Sequence, residues 1–180
     1  MYEAISYHWG DQNDTRVVYC EGKPLRVTVS LYTGLKRLRR QDIVRVFWAD
    51  AVCINQKDTL EKNAQLPLVS RIYSQPSRVL VLLGENTSAP ADRTDGGQRL
   101  RAEGKPNVLD YNWRRMNSLL CRPWFDRRWI IQEVTLADDT VPRLAICGHV
   151  EFSWNDLASV ACRIAAYGIP PLLAGLSTST

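Results

Sequence analysis

Five consecutive apolar residues, Val79 to Leu83, sit between Arg78 and Gly84. A short, unbroken, β-branched-rich run of this kind reads as a buried strand, and it narrows the choice of fold more than any other stretch. Further strands are expected at Tyr2 to Tyr7, Val44 to Trp48 and Arg143 to Cys147. The run at Val44 to Trp48 is apolar enough for a central place in the sheet. Val17 to Cys20 and Leu25 to Val29 flank Glu21-Gly22-Lys23-Pro24 and read as a β-hairpin. Helical patterns fall between these runs. One is capped by Ser30 and passes through Leu31, Leu35 and Leu38; one starts at Thr59 and meets a break at Pro67. Others cover Tyr111 to Leu120 and Trp124 to Ala137, and a last one is capped by Ser153. Alternating strands and helices imply an α/β layer fold with a mainly parallel sheet.

At 180 residues the chain is long enough for one domain with a real core. We place that domain at 1–168, with a variable insertion at about 85–110 rich in Gly, Pro, Asp and Arg, and a tail at 169–180. The net charge of +4 is mild. The basic cluster Lys36 to Arg40 reads as the solvated face of a helix, which argues against nucleic acid as a partner. No apolar run is long enough to span a membrane. The five cysteines form no CxxC pair, and only two histidines are present, which leaves little material for a metal site or a Ser-His-Asp triad. Irregular cysteines without a secretion signal lead us to expect reduced thiols and a cytoplasmic location. Neither GxGxxG nor GxxxxGK[ST] occurs, which argues against an ordinary dehydrogenase or P-loop NTPase.

Three constellations carry possible chemistry. In an open parallel sheet, ligands bind beyond the carboxyl ends of the strands. The loops Tyr7 to Asn13 and Asp50 to Lys57 both follow expected strands and should open onto that edge. Tyr7 and Trp9 can wall a planar ligand or simply cover the core. Asp50, Asn55 and Gln56 can meet ribose hydroxyls or hold the loop in an Asx-type turn. Leu119 to Glu133 packs two tryptophans, three arginines and one glutamate into one amphipathic run. Trp129 and Glu133 are four residues apart and share a helix face, either as a ligand-binding pair or as a core tryptophan beside a salt bridge. Arg122 and Arg127 can clamp phosphates or pair with acids.

Tyr2 to Gly10 (YEAISYHWG), Phe47 to Gln56 (FWADAVCINQ), then Glu61, Gln65 and Arg71-Ile-Tyr73, then Val81 to Gly84, then Arg122 to Glu133 (RPWFDRRWIIQE) resemble the fungal HET (heterokaryon incompatibility) domain. The likeness runs from Tyr2 to about Trp154, with Lys62, Leu66 and Pro76 departing from the usual residues. HET domains are in turn similar to TIR domains. That second resemblance implies a TIR/flavodoxin-like three-layer fold and, by carry-over, a catalytic Glu133 that cleaves NAD at the nicotinamide–ribose bond. On this reading Tyr7, Trp9 and Trp129 wall the ligand. Asp50, Asn55 and Gln56 meet the ribose or shape the loop, and Arg122 and Arg127 meet phosphates. NAD would be a substrate, with no resident cofactor and no metal. The resemblance further implies a cell-death effector of fungal nonself recognition that works as a homo-oligomer downstream of a receptor or trigger protein. The competing reading is a non-enzymatic, self-assembling signalling module. A Glu133 locked to Arg127 with no cleft beside it would favour that alternative.

Overall fold

The computed structural model describes residues 1–85, 116, 118–135 and 137–167. Expectations for 86–107, for most of 111–120 and for 169–180 fall outside them. The central sheet holds β1 (Glu3–Tyr7), β4 (Phe47–Trp48), β5 (Arg78–Leu82), β6 (Arg143–Cys147) and β7 (Val150–Ser153), in the spatial order β4-β1-β5-β6-β7. The first four strands run parallel and β7 returns antiparallel after the Gly148-His149 turn. The architecture is therefore α/β with a mostly parallel sheet. Strand β7 was not expected from the sequence.

Each face of the sheet has its own core. Side chains alternate across a strand, so Ala4 packs on one face and Ile5 and Tyr7 on the other. Val79, Leu80 and Val81 alternate in the same way and are at most 1% exposed, which explains the unbroken apolar run. Full burial of such a side chain stabilises by about 1.5–3 kcal/mol. Helix α1 (Val29–Leu38) covers the Ile5 face through Leu31 and Leu38. Gly34 lets it approach closely, because a Cβ there would collide with Leu82 Cδ1. Helices α4 (Val69–Ser74) and α5 (Ile130–Thr135) cover the Ala4 face through Tyr73 and Val134. The hairpin β2 (Thr15–Cys20) and β3 (Lys23–Thr28) stands apart as a two-stranded sheet. Its turn residues Glu21 and Gly22 have φ of 51° and 76°, the left-handed pair that a two-residue hairpin requires.

Several expectations need correction. The N-cap of α1 is Thr28, whose Oγ1 accepts from Leu31 N at 3.5 Å; Ser30 Oγ instead donates to the His8 carbonyl at 2.5 Å. Strand β4 lies at the sheet edge and is only two residues long. It pairs with the start of β1, where the Val46 carbonyl accepts from the Glu3 amide at 2.9 Å; Val44 lies beyond that last ladder bond and is 96% exposed. Asp50 begins a short helix, α2 (Asp50–Cys53), before the polar loop. Pro67 breaks the next helix as expected: α3 (Thr59–Gln65) passes through a 3-10 turn, Leu66–Leu68, into α4. The single helix expected over Trp124 to Ala137 is two pieces, a 3-10 turn at Pro123–Asp126 and α5, separated by an extended Arg127. Ser153 does cap α6 (Trp154–Tyr167), accepting from Asn155 N at 3.2 Å. No described helix is long and apolar enough to cross a membrane.

Candidate functional site

Ser6 is fully buried near the end of β1, between Ile5 and Tyr7, which pack into the core. A buried hydroxyl needs partners, and Ser6 has them. Its Oγ donates to Glu133 Oε2 and accepts from the Trp124 indole at 2.9 Å. The extended backbone at Arg127 turns its guanidinium back onto the same carboxylate. Nη1 meets Oε2 at 2.8 Å and Nη2 meets Oε1 at 2.7 Å, a two-pronged fork. Glu133 is 4% exposed, and its amide donates to the Trp129 carbonyl at 3.0 Å, one helical turn back. The carboxylate is thus held directly by Ser6 of β1 and by Arg127, while Trp124 of the 3-10 turn fixes Ser6.

Beside it opens a cleft of about 300 Å³. Glu133, Arg127 and Tyr73 line one part of it, and Trp9, Asp50 and Gln56 line another. The two strand-end loops do meet at this edge: the Trp9 indole donates to Asp50 Oδ2 at 2.9 Å. Asp50 Oδ1 accepts from the Ala51 amide, and Gln56 Nε2 closes the loop by donating to the Asp50 carbonyl at 2.9 Å. Trp48 stands edge-on to Tyr73 with ring centres 5.5 Å apart, and Trp129, 49% exposed, forms the rim. Burial, with the negative charges of Glu133 and Asp50, holds the Tyr73 hydroxyl well above its ordinary range, so it stays protonated while donating to the Ile5 carbonyl at 2.9 Å.

The expected site residues divide. Glu133, Arg127, Trp129, Trp9, Asp50 and Gln56 come together at the cleft. Tyr7 does not wall it. Strand alternation sends its ring into the α1 face, where it is 1% exposed. Its hydroxyl makes no well-formed hydrogen bond, and burial together with the nearby Asp50 charge raises its pKa far above the phenol range. Asn55 shapes the loop: its amide donates to Glu61 Oε1 at 3.0 Å and its Oδ1 accepts from Lys57 N at 3.2 Å. Arg122 donates to the Glu85 carbonyl at 2.5 Å beside Gly84, away from the cleft lining. Sequence reasoning assigned no role to Ser6, Trp48, Tyr73 or Lys62, all of which line the cleft or bind Glu133. Only Ser6 carried a local signal, as the one small polar residue between two large side chains, Ile5 and Tyr7.

A larger cavity, about 360 Å³, lies on the α1 side between Leu82, Ile146 and Gly34. Three of its charged neighbours are occupied locally, Asp11 by the Asn13 amide. Arg37 binds the Gly148 carbonyl and Glu151, and Asp14 pairs with Arg16. The chemistry therefore favours the smaller cleft. Among the described residues no group of three or more His, Cys, Asp or Glu side chains is arranged to hold a metal ion.

Comparison with known proteins agrees with the sequence blocks that build this cleft. The family model described as heterokaryon incompatibility protein (HET) matches residues 2–133. The chain is also similar to heterokaryon incompatibility protein 6, OR allele, of Neurospora crassa: 28% identical over 198 residues, covering 82% of this chain and 29% of that protein. It thus spans less than a third of that relative's length. No solved structure matches the chain significantly. The family match takes in every strand-end loop and side chain of the cleft, and the chain belongs to the heterokaryon incompatibility (HET) family.

Proposed function

We propose that this domain serves fungal nonself recognition as a cytoplasmic cell-death effector that hydrolyses NAD at the nicotinamide–ribose bond. The observation that carries the reading is Glu133: a buried, rigidly oriented carboxylate on the wall of an aromatic cleft at the carboxyl ends of parallel strands. Counted within the central sheet alone, the strand order is 2-1-3-4-5, that of flavodoxin-like sheets, which supports a TIR-like reading of the fold. As the bond from ribose C1′ to nicotinamide breaks, the electron pair leaves with the ring and positive charge develops on the ribose. Glu133 faces that charge, and its fixed orientation spares reorganisation in the transition state. Water then adds at C1′ and loses a proton, giving ADP-ribose and free nicotinamide. Trp9 and Trp129 wall the flat ring, and Asp50 keeps lone pairs for ribose hydroxyls. A homo-oligomer, brought together by an upstream trigger, is the form in which we expect the site to act.

The non-enzymatic module keeps one observation in its favour. Arg127 occupies both oxygens of Glu133, as a purely structural pair would. The cleft beside the pair is what that reading leaves without a purpose. Incubation of concentrated protein with NAD, followed by separation of nicotinamide and ADP-ribose, tests the proposal. We expect turnover in the parent and its loss in Glu133→Gln. Equal turnover in both proteins removes Glu133 from catalysis, and no turnover in the parent at any concentration returns the domain to the signalling module.

A further inference from the structure

Four charged side chains line the cleft: Asp50, Lys62, Arg127 and Glu133. Three are already engaged. Arg127 and Glu133 hold each other in a fork, and Asp50 accepts from the Trp9 indole and the Ala51 amide. Lys62 differs. Among the described residues its ammonium makes no ion pair or hydrogen bond. The acids nearest in sequence are committed elsewhere: Glu61 accepts from the Asn55 amide, and Asp58 caps α3 through the amides of Leu60 and Glu61. Lys62 and Leu66 are one turn apart and both line the cleft, so this face of the helix aims an uncompensated positive charge at a space walled by Trp9, Trp48 and Trp129.

A flat aromatic wall with one unneutralised ammonium fits a ligand that carries a planar ring and, separately, an anion. Lysine binds phosphate as a flexible point charge and needs no forked geometry. We infer that Lys62 contacts a phosphate of a nucleotide whose ring lies against the tryptophans. Lys62 then sets the preference for phosphorylated over unphosphorylated ligands, the role that sequence reasoning gave to Arg122 and Arg127. The inference rests on the nucleotide reading of this cleft and adds the residue that selects the ligand class.

Tryptophan-fluorescence titrations of the full chain test it, with NAD and AMP set against nicotinamide riboside and adenosine. We expect Lys62→Ala to weaken NAD and AMP about fivefold to twentyfold. Lys62→Glu should weaken them about 50-fold or more, because it places like charges together. Lys62→Arg should stay within about threefold of the parent, since it keeps the charge. Adenosine, which is neutral, should bind all four proteins alike, and the cationic nicotinamide riboside should bind Lys62→Ala and Lys62→Glu no more weakly than the parent. Added salt should weaken NAD binding in the parent and have little effect in Lys62→Ala. Equal losses for phosphorylated and unphosphorylated ligands overturn the inference. So does a change under about twofold in Lys62→Glu, or the absence of NAD and AMP binding to the parent. The outcomes separate from those for catalysis. Lys62-dependent binding without nicotinamide release defeats only the hydrolysis reading. Glu133-dependent release with a KM indifferent to Lys62→Glu defeats only this one.

Discussion

The two ends of β1 carry the same buried motif in different company. At the start of the strand, Arg45 holds Glu3 in a fork at 2.7 and 2.6 Å, and Arg78 adds a third contact at 3.2 Å. At the other end, Arg127 holds Glu133 in a fork of nearly equal length, with Ser6 as the third partner. A buried arginine–glutamate pair is weak evidence for function, because its attraction largely offsets the cost of desolvating two charges. The surroundings differ. Arg45 lies over the Phe47 ring, which reinforces the pair as a structural clamp. The nearby cavity of about 250 Å³ is lined, among the described residues, by four arginines, aliphatic side chains and Glu151, without Glu3 and without an aromatic ring. Glu133 lines a cleft that also holds three tryptophans and Lys62, which has no ion pair among the described residues. The neighbouring space, more than the ion pair, singles out the end that we propose to be functional.

The largest expected effect is on stability. Arg127→Met leaves a carboxylate buried without its counter-charge and should cost about 3–5 kcal/mol in urea unfolding. Arg45→Met should cost a comparable amount while leaving NAD affinity unchanged; a loss of affinity there would break the contrast between the two ends. Trp129→Ala should reverse that pattern. Its side chain is 49% exposed, so stability should change by less than about 1 kcal/mol, while NAD binding weakens about tenfold through lost stacking. Acid titration sharpens the other end. The Arg45 hydrogen bonds outweigh burial and hold the Glu3 carboxyl below its ordinary value of 4.5. A depressed folded-state pKa adds stability above that ordinary value, and the contribution fades as pH falls from there through the folded value. Glu3→Gln should therefore flatten the acid limb of the stability profile, and an unchanged limb would contradict the assignment. The smallest effect is at the cap. Thr28→Ala should cost about 1 kcal/mol and Ser30→Ala should leave the cap intact, as read by thermal unfolding.

How much of this was legible in the sequence depended on how local each signal was. The run Val79 to Leu83 and the turn Glu21-Gly22 specify their structures almost alone, by unbroken hydrophobicity and by left-handed backbone. The meeting of the Trp9 and Asp50 loops followed from topology, since both leave the carboxyl ends of parallel strands. Alternation along β1 also settles Tyr7. Ser6 points to Glu133 and Tyr7 points to α1, yet a motif read as a block treats them alike. The position of β4 was not legible. Its apolar run suits a central strand, and only the register with Glu3 shows that its first residues overshoot its neighbour. The Arg127–Glu133 fork was foreseeable as a pairing. Its cleft was not, because Lys62, Trp48 and Tyr73 come from separate elements with no shared periodicity.

The central claim is that the carboxylate at the Ser6 end of β1 does chemistry and the one at its start does not. Nicotinamide release from NAD by the parent, Glu3→Gln and Glu133→Gln, measured side by side below their unfolding midpoints, tests it most directly. We expect release by the parent and by Glu3→Gln, and a drop of at least about 100-fold in Glu133→Gln. Release by Glu133→Gln at the parent's rate would contradict it.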